Sequence, residues 1–197
     1  MSQRTAEFPV HPSFTQRWSP RAFTGKTLAE PELMRLFEAA RWAPSASNTQ
    51  PWRFVYGLAG SAGFNTILRT LVPFNRGWAH RASALVAVLS ATVSTPPGAV
   101  EAKPSPQHAF DTGAAWMSLA LQAHHMGWCA HAMGGFDKDA LRQALSVPDI
   151  FALHCVVALG EQGDKTVLED SLQARETPNG RQPLSAMVCE GRFAFDR

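Results

Sequence analysis

Two arginines with a serine between them stand near the start of the chain, as Arg17, Ser19 and Arg21. Pro20 pushes the residue before it toward extended geometry, so these three side chains are predicted to project from one face at two-residue spacing. Two guanidinium groups with a hydroxyl between them suit a phosphate, because each planar fork gives bidentate, charge-assisted hydrogen bonds. The alternative interpretation is a pair of solvated surface arginines.

A second polar stretch is bounded by Pro44 and Pro51, and we call residues 44–51 the corner loop. The prolines prevent a helical backbone, so the N–H and hydroxyl groups of this loop are predicted to be free. The apolar periodicity before it ends at Ala43, and residues 53–59 after it read as a strand. The sequence therefore predicts a rigid helix-to-strand corner that holds something polar and flat.

Two adjacent glycines, Gly134 and Gly135, form a third candidate feature. Without side chains they let the backbone approach a planar ligand and aim N–H groups at it. The other interpretation is a simple turn into the next helix, which Asp137 would cap. We call residues 133–136 the bend.

The elements that must position these residues read as helix, strand, helix, strand, helix, helix and strand. The periodicity predicts helices over residues 32–42, 64–72, 113–126 and after Asp137, and strands over 53–59, 83–89 and 151–159. Asp111 and Thr112 are predicted N-caps of the longest helix, which is apolar almost all round and therefore predicted to be buried on most faces. Without regular β-α-β alternation, this order favours an α+β sheet flanked by helices.

The composition favours one ordinary globular domain over residues 1–197. The chain is 45% hydrophobic and 17% charged, with a net charge of +2 and no basic run, so a nucleic-acid surface is not indicated. Polar residues interrupt its uncharged stretches, which read as core rather than membrane spans. The odd number of dispersed cysteines indicates reduced thiols, and the first residues lack the apolar core of a signal peptide, so a cytoplasmic protein is predicted.

The sequence also contains two segments without clear periodicity and a histidine cluster. Residues 1–12 read as an N-terminal arm, and the proline-rich loop at 94–107 reads either as a flap over a site or as a mobile surface loop. His124, His125 and His131 invite a metal interpretation, but their spacing matches no common zinc template. Core or interface histidines are the preferred interpretation, and no metal site is predicted.

The motifs Ala43-Pro-Ser-x-x-Asn-x-Gln-Pro-Trp52 and Arg17-Trp18-Ser19-Pro20-Arg21, in this order and spacing, resemble the FMN-dependent nitroreductase family. The resemblance runs from Arg17 to about Leu184. It implies a nitroreductase-like α+β fold with a central, mainly antiparallel sheet, assembled as an intimate homodimer with the flavin between the subunits. It also implies a ping-pong oxidoreductase that takes hydride from NADH or NADPH at the flavin N5 and reduces a nitroaromatic, quinone or similar planar acceptor.

The resemblance also implies roles for individual residues. Arg17 and Ser19 would hold the FMN phosphate and ribityl chain, Arg181 would return to the phosphate, and Arg21 would lie near the N1–C2 edge of the ring. Asn75 would bond the ring, although a turn-forming asparagine is equally compatible with the sequence. The full set of implied FMN-binding residues is Arg17, Trp18, Ser19, Arg21, Pro44, Ser45, Ala46, Asn48, Gln50, Asn75, Met133, Gly134, Gly135 and Arg181.

Other functions remain open from the sequence. The same flavin scaffold serves other redox reactions, such as desaturation or dehalogenation. A non-catalytic protein that binds flavin, or metal through the histidines, is a third possibility. No side chain is predicted to be catalytic, because the flavin would carry the chemistry and the protein would hold and polarise it.

Overall fold

The computed structural model describes residues 4–95, 98 and 100–195. Residues 1–3 of the predicted arm and 96, 97 and 99 of the predicted flap lie outside the described residues. The elements follow in the order α1 (Pro12–Gln16), α2 (Glu30–Arg41), β1 (Trp52–Leu58), α3 (Ala62–Thr70), α4 (Pro73–Ala79), β2 (Ala84–Ala91), β3 (Val93–Ser94), β4 (Lys103–Pro104), α5 (His108–His125), β5 (Cys129–Met133), α6 (Lys138–Ala144), β6 (Phe151–Gly160) and α7 (Asp170–Gln173).

Within the described residues, β1, β2, β6 and β5 form one sheet in that order. Each neighbouring pair is antiparallel, with Trp52 opposite Ser90 and Met133 opposite Val156. The predicted α+β fold with a mainly antiparallel sheet flanked by helices is confirmed. Strands β3 and β4 pair separately, so the predicted proline-rich loop begins and ends in a short ladder.

Alternating side chains of β2 enter two hydrophobic clusters, one on each face of the sheet. Leu85, Ala87 and Leu89 pack with α3 and α4, whereas Ala84 and Val88 pack with α2 and α5. Because both faces are covered, β2 is an almost continuous apolar run rather than an alternating one. The arrangement places α3 and α5 on opposite sides of the sheet.

Helix α5 differs from its prediction at its start. It begins at His108, after Gln107, rather than near Gly113, so Asp111 and Thr112 lie inside it and are not N-caps. The buried residues in α5 include Asp111, Thr112, Ala115, Leu119 and Ala123, and they form one face, while the apolar Ala114, Trp116 and Leu121 are only half-buried. Over the predicted range 113–126 only Gly113 and His125 are exposed, so the other residues are buried or partly covered within the single chain.

Three further segments form elements where the sequence predicted none. The arm ends in α1, and Asn75 lies inside α4 rather than in a turn before the next strand. Residues 129–133 form edge strand β5, because β6 offers them a complete set of backbone partners. No helix in the described part of the chain is both long enough and apolar enough to cross a membrane.

Candidate functional site

A pocket of about 230 Å³ brings together side chains from both ends of the chain, and we call it the arginine pocket. The extended segment after α1, strand β5 and the segment after α7 supply its walls. Its lining residues are Arg4, Arg17, Trp18, Ser19, Arg21, His131, Arg175, Thr177, Asn179 and Arg181. The structure therefore gathers five of the predicted residues, four from the motif at residues 17–21 and one from the C-terminal segment, namely Arg17, Trp18, Ser19, Arg21 and Arg181.

Arg17 has the donors of an anion-binding residue without an anionic protein partner. Its Nη1 lies 3.4 Å from Ser19 Oγ, and its buried Nε has no hydrogen-bond partner among the described residues. Burial lowers the pKa of Arg17, and the positive charges of Arg4 and Arg181 lower it further. Among the described residues, no carboxylate forms an ion pair with any of these three arginines. An anion in the pocket would remove this repulsion.

Arg21 has a different environment, because a buried carboxylate accompanies it. Its Nη1 lies 3.6 Å from Glu176 Oε2, while Glu176 Oε1 accepts hydrogen bonds from the backbone N–H groups of Arg21 and Ala22 at 2.5 and 2.8 Å. Glu176 therefore compensates the charge of Arg21 and fixes its backbone. The Arg21 Nε is also buried without a hydrogen-bond partner in the described chain, so it retains one donor for a ligand.

His131, in strand β5, attaches the segment of residues 17–21 to the sheet. The Nδ1–H of His131 donates to Pro20 O over 3.0 Å, and the ring lies against Trp78 with centroids 4.7 Å apart. Burial lowers the pKa of His131, which favours the neutral ring, although the bond to Pro20 opposes this shift. Among the described residues, no group of three or more His, Cys, Asp or Glu side chains is placed to hold a metal ion.

The bend follows β5 and is held by α4. Asn75 Nδ2 donates to Gly135 O over 3.0 Å, and Val72 N donates to the same oxygen over 3.1 Å. A Cβ on Gly135 would lie 2.7 Å from Asn75 Nδ2, whereas one on Gly134 would meet nothing within 4 Å. The side chain of Met133 is buried in the core. Of these residues, Gly135 is therefore the one whose missing side chain the packing requires.

The corner loop has an unusual backbone. Ser47, Asn48 and Gln50 have φ values of 51°, 54° and 46°, in the left-handed region that residues other than glycine rarely adopt. Each such residue costs on the order of 1 kcal/mol or more, so the surrounding contacts must hold the loop in place. Backbone strain of this kind is common at ligand-binding sites.

Hydrogen bonds within the loop and to α5 provide that restraint. Ser45 Oγ accepts from Gln50 N over 3.0 Å, and Ala46 N donates to Asp111 Oδ2 over 3.1 Å. Asn48 N and Thr49 N also donate to loop carbonyls. The prediction that the N–H groups of this loop are free is therefore wrong for these four residues, because the turn consumes their donors.

The structure does not bring the corner loop to the arginine pocket. The loop is bonded to Asp111 in the first turn of α5. Arg17 instead lies near His124 in the last turn. Burial lowers the pKa of His124, and the charges of His125 and Arg17 lower it further. Asp111 and His124 are about 20 Å apart along the helix axis. The bend is nearer to the pocket, since Gly134 follows His131 by about 10 Å of strand. Within one chain, the arginine pocket and the corner loop therefore lie at opposite ends of α5.

Sequence reasoning missed several residues that line or support the arginine pocket and the corner loop. Arg4, Arg175 and Glu176 reach the arginine pocket or its arginines. His131 was considered as a metal ligand or, preferably, as a core or interface histidine, and Asp111 was predicted to cap a helix. Glu176 contacts residues more than 150 positions away in the chain. No local pattern marks such a partner; the position of Glu176 beside the segment that contains Arg181 was the only available signal.

Comparison with known proteins adds independent findings. The sequence model of the nitroreductase family matches residues 14–57 and 61–161. A crystal structure described as an oxidoreductase containing FMN is 45% identical, covers 100% of this chain and 98% of its own, and superposes with a TM-score of 0.95. An uncharacterized 15.4 kDa protein from the ask 5' region of Mycolicibacterium smegmatis is 32% identical over 129 residues, 65% of this chain and 83% of its own.

A more distant structure shares the fold. The nitroreductase family protein of Streptococcus pneumoniae is 20% identical, covers 91% of this chain and 98% of its own, and superposes with a TM-score of 0.73. Both motifs of the sequence, at residues 17–21 and 43–52, lie inside the first segment matched by the family model.

Proposed function

Since this chain belongs to the nitroreductase family, we propose that it is an FMN-dependent oxidoreductase that uses NADH or NADPH to reduce a nitroaromatic, a quinone or a similar planar acceptor. The observation that carries the proposal is the arginine pocket. Its uncompensated guanidinium groups and the unpartnered Nε of Arg17 are suited to bind an anion. The relative described as containing FMN supports the identity of the cofactor.

The pocket fits the phosphate of FMN by charge and by donor geometry. A phosphate dianion would offset the mutual repulsion of Arg17 and Arg181, and their forks would bind its oxygens. Ser19 Oγ, already beside Arg17 Nη1, would be free to donate its proton to a phosphate or ribityl oxygen. The neighbouring Arg21 carries a compensated charge, so it would act on the ring edge mainly as a hydrogen-bond donor.

The bend and the corner loop fit the ring by shape. The bend lies about 10 Å along β5 from His131 in the pocket wall, and Gly134 leaves open space where a side chain would stand. Bound FMN would supply the redox chemistry by accepting a hydride at N5 and passing it on. The chain would position the ring, exclude water and leave one face open to two planar substrates in turn.

Two copies of the chain complete such a site. The arginine pocket lies near the C-terminal end of α5 and the corner loop at its N-terminal end, about 20 Å away along the helix axis, so the two are separated within one chain. A two-fold dimer would bring the corner loop of one copy to the pocket of the other, twice. The half-buried apolar side chains of α5, with exposed Phe110 in its first turn, provide a surface for that contact.

The absorption spectrum tests this function. Freshly purified protein, or apoprotein given FMN, should be yellow, and anaerobic NADH or NADPH should bleach it while NAD⁺ should not. A nitroaromatic or a quinone should then restore the colour without oxygen. Protein that does not retain FMN would overturn the proposal, and protein that binds FMN but is not bleached by either nicotinamide would overturn its NAD(P)H half.

A further inference from the structure

Arg4 is a component of the arginine pocket that the sequence motifs do not include. It lies 13 residues before Arg17, and its Nη1 donates to Arg17 O over 2.8 Å. Its side chain lines the same cavity as Arg17 and Arg181. The contact places a guanidinium group from the N-terminal arm at the rim of a cavity built by later parts of the chain.

The charges around Arg4 are unfavourable without a ligand. Burial lowers the pKa of Arg4, and Arg181 lowers it further, while Arg4 in turn helps to lower the pKa of Arg17. Among the described residues, the carboxylate of Glu7 forms no ion pair with these arginines, and its Oε1 accepts from Leu184 N over 2.9 Å. Arg4, Arg17 and Arg181 therefore repel one another across one cavity, and one bond to a backbone carbonyl does not compensate their repulsion.

The arm and the C-terminal segment enclose Arg4 together. A second cavity of about 400 Å³ lies between them, and it shares Arg4 and Arg181 with the arginine pocket. The Glu7 to Leu184 bond joins the two segments beside this cavity. An anion in the arginine pocket would thus attract two segments that already touch each other.

We propose that Arg4 is a further phosphate-binding residue, and that the arm (residues 4–10) closes over the phosphate of bound FMN as a strap. This inference rests on the proposed function. It adds that affinity for the phosphorylated flavin is distributed over the arm as well as the predicted motifs. Closure should depend on the phosphate rather than on the ring, because Arg4 is the residue of the described arm that lines the arginine pocket.

The experiment compares FMN with riboflavin, which lacks the phosphate. Apoprotein of the wild type and of Arg4→Gln is titrated with each flavin, and binding is followed by the change in flavin fluorescence. Loss of one charge-assisted contact should weaken FMN binding about tenfold. Riboflavin affinity should be unchanged, which also shows that the variant is folded. Hydrogen exchange of residues 4–10 should slow on FMN addition and not on riboflavin addition.

A matched variant controls for the loss of one positive charge. Arg69→Gln removes an exposed arginine of α3 that does not line the arginine pocket, and it should leave both affinities unchanged. Equal FMN affinity in the wild type and Arg4→Gln, or equal weakening of both flavins, would overturn the role of Arg4 while leaving the flavin function intact. Failure of the wild type to bind either flavin would overturn both.

Discussion

The arginine pocket and the corner loop are two halves of one proposed site, and they are built on different physical principles. The pocket depends on side-chain charge, with Arg4, Arg17 and Arg181 placed together against their mutual repulsion. The corner loop depends on backbone shape, with left-handed residues held by Ser45 and Asp111. Charge tolerates small displacements, whereas a strained backbone does not. The pocket should therefore respond to charge removal, and the backbone regions to added atoms or weakened supports.

The largest effect is expected from removing the central charge of the pocket. Arg17→Ala deletes several charge-assisted hydrogen bonds and should weaken FMN binding by about 3 kcal/mol, or roughly hundredfold. The protein should stay folded, because the deletion also relieves repulsion in the apoprotein. Flavin absorbance per chain and the thermal unfolding midpoint measure the two effects, with Arg69→Ala as the control. Full flavin occupancy in Arg17→Ala would contradict the assigned role.

Mixed dimers test whether the two halves come from different copies. Arg17→Ala damages the pocket and Asn48→Ala damages the corner loop. In a dimer of either variant alone, both sites therefore contain one defective part. Co-expressed chains should form mixed dimers with one intact and one doubly damaged site, and about a quarter of all sites should be intact after random pairing. Flavin occupancy is measured at an FMN concentration where both parents are nearly empty. No recovery in the mixture would mean that each chain builds its site alone.

Adjacent glycines of the bend provide a smaller and sharper comparison. Gly135→Ala would place a Cβ 2.7 Å from Asn75 Nδ2 and 3.0 Å from Val72 Cγ2, so it should lower the free energy of unfolding by about 1 to 3 kcal/mol. Gly134→Ala meets no atom within 4 Å and should change stability by less than about 0.5 kcal/mol. Urea unfolding of the two variants measures the difference. Equal stability would show that the bend moves to accept a side chain.

The smallest effect concerns the support of the corner loop at low pH. Buried Ser90 is paired with Trp52 beside the corner loop. Its Oγ lies 2.6 Å from both His108 Nδ1 and His154 Nε2. Burial lowers the pKa of His154, and the charges of His108 and Lys138 lower it further. The His154 side chain therefore binds a proton more readily in the unfolded chain than in the folded one. Its contribution to the free energy of unfolding is complete above about pH 6.5 and is lost as the pH falls below that value.

The substitution His154→Gln should reduce this loss. The free energy of unfolding is measured at pH 8 and at pH 5.5 for both proteins, and the difference between the two pH values should be smaller in the variant. The pKa values of His124 and His131 are also lowered by burial, so they contribute in the same direction to both proteins and cancel in the comparison. An unchanged pH difference would assign the effect to those histidines.

The sequence predicted the parts of this protein that depend on local chemistry. Proline brackets and apolar periodicity located the helix, the corner and the strand that follows, within about two residues. The spacing of Arg17, Ser19 and Arg21 pointed to a segment that the structure places in the wall of the arginine pocket. Asp137 was predicted to cap the helix after the bend, and its Oδ1 accepts from Ala140 N over 2.9 Å. Each of these features is decided by residues within one or two turns of each other.

Tertiary contacts decided the features that the sequence did not predict. Asp111 reads as a helix cap, but in the folded chain it accepts a hydrogen bond from Ala46, and α5 begins earlier. Residues 129–133 carry too little alternation to be recognised as a strand, and β6 makes them one. The left-handed residues of the corner loop have no glycine to mark them, because hydrogen bonds across the loop maintain a conformation that local preference opposes.

The amino-acid sequence by itself determined which chemical groups are present and which short segments carry them. Only the folded chain decided that Glu176 compensates Arg21 and leaves Arg17 uncompensated, that Arg4 joins the pocket, and that the corner loop lies about 20 Å away at the other end of α5. The physical reason is that a charge or a strained loop acquires its role from neighbours distant in the chain, and those neighbours are brought together by burial of the sheet and its helices.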